Sequence, residues 1–116
     1  MPTQVKQSKM YLILREDLAY KYIQGGHALA AFALNHPYEF KEWNNEYLIC
    51  VSVFNGMALD EICKEFCTIK AHNKNFKFSK FIEPDLKSEL PTAIAMYASA
   101  NSSNGEYIKH LSLATK

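Results

Sequence analysis

Met10-Tyr11-Leu12-Ile13-Leu14 is five consecutive apolar residues, bounded by Lys9 on one side and by Arg15-Glu16-Asp17 on the other. A short unbroken apolar run of high strand propensity suits a strand buried on both faces, the kind found in the middle of α/β sheets whose two faces are covered by helices. The run therefore predicts the central strand of such a sheet.

Reading onward, Arg15-Glu16-Asp17-Leu18 closes the strand with three charges, and Asp17 is expected to accept backbone N–H groups as the chain turns into a helix. From about Ala19 to His36, Ile23 and the run Ala28 to Leu34 predict a helix able to pack closely on a sheet. Gly25-Gly26 near its start costs roughly 1 kcal/mol per Gly relative to Ala, so the pair calls for close helix packing or ligand approach. Pro37 breaks this helix, and residues 38–45 read as a short helix or loop. Glu46 to Val53 is a second strand with a β-branched and aromatic centre. Leu59, Ile62, Phe66 and Ile69 recur at spacings of three and four and predict an amphipathic helix that ends between Lys70 and Asn73. Phe76 to Ile82 alternates as an edge-proximal strand does, Thr92 to Tyr97 supplies a further strand, and Asn101 to Gly105 is a turn-rich break. One or two helical turns over Glu106 to Lys109 and a short strand over His110 to Ala114 close the chain. The order predicts an α/β fold: a mixed sheet of about four strands with helices packed on it.

Composition bounds the function. At 116 residues, 48% hydrophobic and 22% charged, the chain is a globular one, read as a loose tail over residues 1–8 and a single domain over 9–116. A net charge of +1 denies it a whole-molecule attraction to nucleic acid or membrane, so any grip on phosphates must come from a local patch. Cys50, Cys63 and Cys67 form no metal-ligand pattern and read as small buried thiols. No metal or other cofactor is expected. With no apolar signal core and no run approaching 18 apolar residues, the expectation is a cytoplasmic protein without a membrane partner.

The candidate site lies in the acidic turn between the last two long strands. Phe81-Ile82-Glu83-Pro84-Asp85-Leu86-Lys87-Ser88-Glu89-Leu90-Pro91-Thr92 carries Glu83, Asp85 and Thr92 at the edge of the sheet, where open α/β sheets keep their ligands. The competing reading is an ordinary connection, since Pro84, Asp85 and Pro91 are common turn residues. His27, with Gln24 on the same helical face, is either a packed residue or part of the site.

These residues resemble a family. Lys9-Met10-Tyr11-Leu12-Ile13-Leu14-Arg15-Glu16-Asp17-Leu18 resembles the opening strand and R-x-D-L of the type-two peptidyl-tRNA hydrolases, and Gln24-Gly25-Gly26-His27-Ala28 resembles the Q-x-x-H-A of that family's first helix. The order and spacing hold through to the closing Thr92-Ala93-Ile94-Ala95. The resemblance implies a three-layer α/β/α fold, a homodimer, and hydrolysis of the ester in peptidyl-tRNA or a related ester, with tRNA or a nucleotide-containing small molecule as partner. That reaction is acyl transfer to water and needs a base and oxyanion donors. Carried over by position, the resemblance implies Asp85 or Glu83 as the carboxylate and Thr92 as the hydroxyl; Lys21 is the sole candidate to replace the family's loop lysine in catalysis or phosphate contact, although it does not stand at the family's distance from Gln24. Arg15, Asp17, Gln24 and His27 would bind substrate by shaping the cleft.

The chain departs from the family in two places. Its loop before Gln24 is shortened to Ala19-Tyr20-Lys21-Tyr22-Ile23, and the family's D-A-G is replaced by Glu83-Pro84-Asp85-Leu86, so the chain more closely resembles a divergent branch of the family. A second reading is therefore a non-catalytic binding module of the same fold, its cleft holding a small ligand or a protein partner. A tRNA hydrolase should gather Lys6, Lys9, Lys21, Lys77, Lys80 or Lys87 on the cleft face.

Overall fold

The computed structural model describes residues 7–100 and 102–114; Lys6, the rest of the expected tail up to it, and Asn101 lie outside the described residues. The run that opens the chain is strand β1 (Lys9–Arg15), followed by helices α1 (Lys21–Asn35) and α2 (Pro37–Trp43), strand β2 (Tyr47–Val53) and helix α3 (Gly56–His72). Strands β3 (Lys77–Phe81), β4 (Ala93–Ala98) and β5 (Ser112–Leu113) complete the sheet, with 3-10 turns at Pro84–Leu86 and Asn104–Ile108.

The sheet has five strands in the order β3-β4-β1-β2-β5, the expected sheet of about four joined by the short final strand read over His110 to Ala114. That last strand, β5, pairs antiparallel with Val51 and Ser52 of β2. Strand β1 is central, as its unbroken apolar run requires. It runs parallel to β2, with Lys9 opposite Tyr47 and Arg15 opposite Val53, and antiparallel to β4. Because β3 is antiparallel to β4, it points the same way as β1, so β1, β2 and β3 all end at one edge of the sheet.

Alternate residues of β1 face two separate cores. Met10, Leu12 and Leu14 pack with Ala28 and Phe32 of α1, Trp43 of α2, and Ala93, Ala95 and Tyr97 of β4. Ile13 faces the other way, towards Leu59, Ile62, Cys63 and Phe66 of α3, with Phe76, Ile94 and Met96. Helices thus cover both faces. The six residues of β4 are all buried, as befits a strand flanked by β1 and β3 and covered on both sides.

Gly25 shows why the helix tolerates its glycine pair. A Cβ there would lie 2.8 Å from Leu14 Cδ2 and 3.3 Å from Leu12 Cδ1, whereas one on Gly26 would meet nothing within 4 Å. The first glycine lets α1 lie directly on β1; the second is set by no contact. Pro37 ends α1 as expected and also opens α2, occupying its first turn, where a missing N–H is harmless.

Two local expectations are corrected. Asp17 does not cap α1: the N-cap is Tyr20, with no side-chain cap hydrogen bond, because the Asp17 carboxylate is held by Arg15 instead. Ser8, read as the last residue of the tail, is itself buried, and its carbonyl accepts the Tyr47 N–H.

Candidate functional site at the carboxyl edge of the sheet

The ends of β1, β2 and β3, the first turns of α1 and α3, and the 82–92 loop meet at one edge of the sheet. This geometry follows from the β-α-β connections, in which each helix starts at the carboxyl end of the strand before it and runs back across the sheet, so that its N-terminus stands beside the strand ends.

A line of hydrogen bonds crosses this edge. Thr92, 1% exposed, donates from Oγ1 to Gln24 Oε1 at 2.9 Å. The Phe81 carbonyl, which takes the Thr92 N–H at 2.7 Å, is also 3.0 Å from this hydroxyl; with the Gln24 Nε2 turned to Glu83, its Oε1 can only accept, and the Thr92 hydroxyl supplies the proton. That orients the amide, and its Nε2 donates to Glu83 Oε2 at 3.4 Å. The half-exposed Glu83 also accepts the Asp85 N–H at 3.5 Å, which closes the Pro84–Leu86 turn. His27, exposed on α1, stacks on Phe81 with ring centroids 4.6 Å apart and planes 13° from parallel.

A second cluster anchors the same loop from beneath. Arg15, 9% exposed, forms a two-toothed pair with Asp17, Nε to Oδ1 at 3.0 Å and Nη2 to Oδ2 at 2.8 Å, and reaches the Pro91 carbonyl with Nη1 at 3.3 Å. The hydrogen bond from Arg15 holds the Asp17 carboxyl below its ordinary pKa. The guanidinium fits because residue 56 is glycine: a Cβ on Gly56 would lie 2.8 Å from Arg15 Cζ.

Of the residues read from the sequence, Glu83, Gln24, Thr92 and His27 come together, and Arg15 with Asp17 lies beside them. Asp85 stands apart: it is exposed, and only its backbone joins the network. Thr92 is too deeply buried to touch a ligand and acts through Gln24. Lys21 is not presented to solvent as a phosphate-contacting lysine would be. It is largely buried and pairs with Glu16 Oε2 at 2.8 Å, because α1 begins at Lys21 itself and turns the side chain back on the strand end.

The other lysines do not gather here. Lys9 and Lys77 begin their strands and so lie at the opposite edge. Lys80 is exposed on the α3 side, near enough for its charge to act on Cys63, and Lys87 alone sits on the carboxyl-edge loop. Apolar side chains are exposed at the same edge: Tyr20 is 71% exposed and Ile23 58% at the start of α1, and Phe54 79% and Met57 68% where β2 leads into α3. Sequence reading passed over this rim because its members adjoin apolar runs and look no different there from core residues.

A hollow of about 770 Å³ lies away from these residues, at the opposite edge, lined by Lys9, Tyr11, Tyr47 and Glu106 among others. Depth alone does not select it over the carboxyl edge, where residues 59 and 68 positions apart are joined by directed hydrogen bonds. No group of three or more His, Cys, Asp or Glu side chains among the described residues is placed to hold a metal ion, and no helix among them is long and apolar enough to cross a membrane. No protein-family model matches the chain, and a search of the curated proteins finds no match.

Proposed function

We propose that the chain is a peptidyl-tRNA hydrolase type-two-like protein that hydrolyses the ester of peptidyl-tRNA, or a related ester, at the carboxyl edge of its sheet, with Glu83 positioning the attacking water. The observation that carries this reading is the Thr92–Gln24–Glu83 line. A buried hydroxyl fixes an amide, and the amide fixes a carboxylate that remains open to water. A water held by Glu83 gives up its proton as its oxygen attacks the acyl carbon, and the departing alcohol takes a proton as the ester bond breaks. Thr92, Arg15 and Asp17 are then positioning residues, while Gln24 and His27 line the cleft.

The scattered lysines narrow the substrate. They supply no basic track for the body of a tRNA, and Lys21 would have to leave Glu16 to meet a phosphate, so contact is confined to the ester-bearing end. The homodimer belongs to the proposal on the strength of the resemblance, and the cytoplasmic location on the reading of its cysteines as reduced thiols.

A binding module without chemistry is the second reading. It is favoured by the apolar rim of Tyr20, Ile23, Phe54 and Met57, which suits a ligand or partner held by burial of apolar surface, and by the ion pairs that already engage Arg15 and Lys21.

The test is peptide release from purified peptidyl-tRNA by the wild type, Glu83→Gln and Asp85→Asn. A fall of at least tenfold in Glu83→Gln alone, about 1.4 kcal/mol of transition-state stabilisation, supports the proposal. A fall in Asp85→Asn alone transfers the role to Asp85. No release by a folded wild type leaves the binding module.

A further inference from the structure

At the amino end of β1, the hollow of about 770 Å³ opens on the face of the sheet against which α3 packs. Its floor is two rows of strand residues: Lys9 stands between Ala98 and Tyr47, and Tyr11 stands beside Ile49. The segment that follows β4 forms its wall, with Ser99, Ser103 and Lys109. The volume lies in the range of small-molecule sites, about 300–1,000 Å³, and the lining joins aromatic, hydroxyl and cationic groups.

The aromatic and cationic groups of this lining are not engaged with each other. Among the described residues, the Tyr11 and Tyr47 rings pair with no other ring and lie under no lysine. Tyr47 is 49% exposed, so its ring can be reached from the hollow. Tyr11 is half-buried, and a Cβ on Gly105 would lie 2.9 Å from its hydroxyl; glycine at 105 lets the wall close on the phenol. Burial, helped by the Glu106 carboxylate, pushes the Tyr11 phenol up, so it remains a hydrogen-bond donor. Lys9 is exposed and takes part in none of the ion pairs among the described residues. Lys109 is paired with Glu106 at 2.7 Å, so the charge of the described lining is that of Lys9.

We propose that this hollow binds a single nucleotide, its base stacked on Tyr47 and its phosphate held by Lys9. Lys9 and Tyr47 are register partners on adjacent strands, which lie about 4.8 Å apart. An aromatic face and a cation therefore stand side by side, as the base and the phosphate of a nucleotide do. Stacking alone fits any flat ring and charge alone fits any anion; the pair fits a flat ring that carries an anion. The Tyr11 hydroxyl and the serine hydroxyls each donate and accept, which suits the mixed edge of a nucleobase and has no counterpart on a plain aromatic acid. A neutral sugar leaves Lys9 unmet. One net positive charge matches one phosphate group, and the chain's net charge of +1 supplies no track for many. The same chemistry serves a free nucleoside monophosphate or one nucleotide of a single strand, whose bases stack on such side chains. This site does not depend on the hydrolysis proposed at the carboxyl edge.

The experiment is amide NMR on the full chain, titrated separately with AMP, GMP, CMP and UMP, with the matching nucleosides and with RNA hexamers of each nucleotide. Inorganic phosphate and phenylacetate serve as rival chemistries. The expected result is saturable shifts of the Tyr11, Tyr47 and Ser103 signals with at least one monophosphate. Its affinity should fall by about fivefold or more in Tyr47→Ala, and by about threefold or more in Lys9→Gln or when the phosphate is removed. Both residues are exposed, so both variants should fold, which thermal unfolding checks. A hexamer that binds more than about tenfold tighter than its monophosphate identifies a strand as the ligand; a smaller gain identifies the free nucleotide. The proposal is overturned by the absence of saturable shifts with every monophosphate and hexamer, by nucleotide binding that survives both substitutions, or by phosphate or phenylacetate saturating these amides where the nucleotides do not.

Discussion

Thr92 and Gln24, 68 positions apart, are joined by a 2.9 Å hydrogen bond from a hydroxyl that is 1% exposed to an amide on the first helix. This bond ties α1 to the start of β4 and sets which end of the Gln24 amide faces Glu83. Thr92→Val keeps the shape and removes the donor, leaving the Gln24 oxygen unpaired. We expect a loss of about 1–2 kcal/mol in stability and a loss of hydrolysis beyond what that explains. Thr92→Ser should restore most of the rate. Equal rates in all three folded proteins would mean that the amide needs no help from the hydroxyl.

The two adjacent glycines of α1 should respond in opposite directions. Gly25→Ala drives a methyl against Leu14 and Leu12, an overpacking cost of about 1–3 kcal/mol that the helical preference of alanine offsets by only about 0.5–1 kcal/mol. Gly26→Ala meets nothing and should stabilise the protein by about 0.4–1 kcal/mol. Urea unfolding of the two variants measures both signs.

The Arg15–Asp17 pair should make stability depend on pH in the acid range. Asp17 has a depressed pKa when folded against roughly 3.9 unfolded, so its contribution is present above about pH 4 and fades as pH falls through the folded value. Asp17→Asn leaves the nearly buried guanidinium with a weaker partner. With Asp17 38% exposed on its side chain, solvent screens the pair, and the expected loss near pH 7 is about 1 kcal/mol. Chemical unfolding at pH 7 and at pH 2 to 3 should show the variant and the wild type converging at the acid end.

Alkylation should distinguish two cysteines one helical turn apart. Burial pushes the Cys63 thiol up, while Cys67 is exposed, and the thiolate is the reacting form. Iodoacetamide near pH 8 should modify Cys67 well before Cys63 in the folded protein. Peptide mass mapping at short times reads the order, and equal rates would place Cys63 outside the α3 core.

A residue larger than glycine at 56 should disturb the edge from below. Gly56→Ala places a methyl against Arg15 and Leu90, and Arg15 is the group that reaches the Pro91 carbonyl one residue before Thr92. A destabilisation of about 1–3 kcal/mol, with weakened function at the edge, is the expected outcome by thermal unfolding and by the peptide-release assay.

What was legible in the sequence is what depends on neighbours along the chain. The apolar run Met10 to Leu14 announced a central strand because no other arrangement buries both of its faces, and the three-and-four spacing of Leu59, Ile62, Phe66 and Ile69 announced α3 because that spacing is one face of a helix. The short β5 was legible only as a possible strand, since two residues carry no period, and pairing with Val51 and Ser52 is what makes it one. The roles of the polar residues were decided by the tertiary structure alone. Asp17, Lys21 and Asp85 carry the right chemistry for a cap, a phosphate contact and a base, yet Arg15 takes the first, Glu16 takes the second and the third stands out in solvent. The physical reason is range: an apolar residue is driven to burial whatever it meets, so its pattern suffices, whereas a polar side chain acts only through a partner at hydrogen-bond distance and angle, and partners such as Thr92 and Gln24 meet only once the sheet and its helices are assembled.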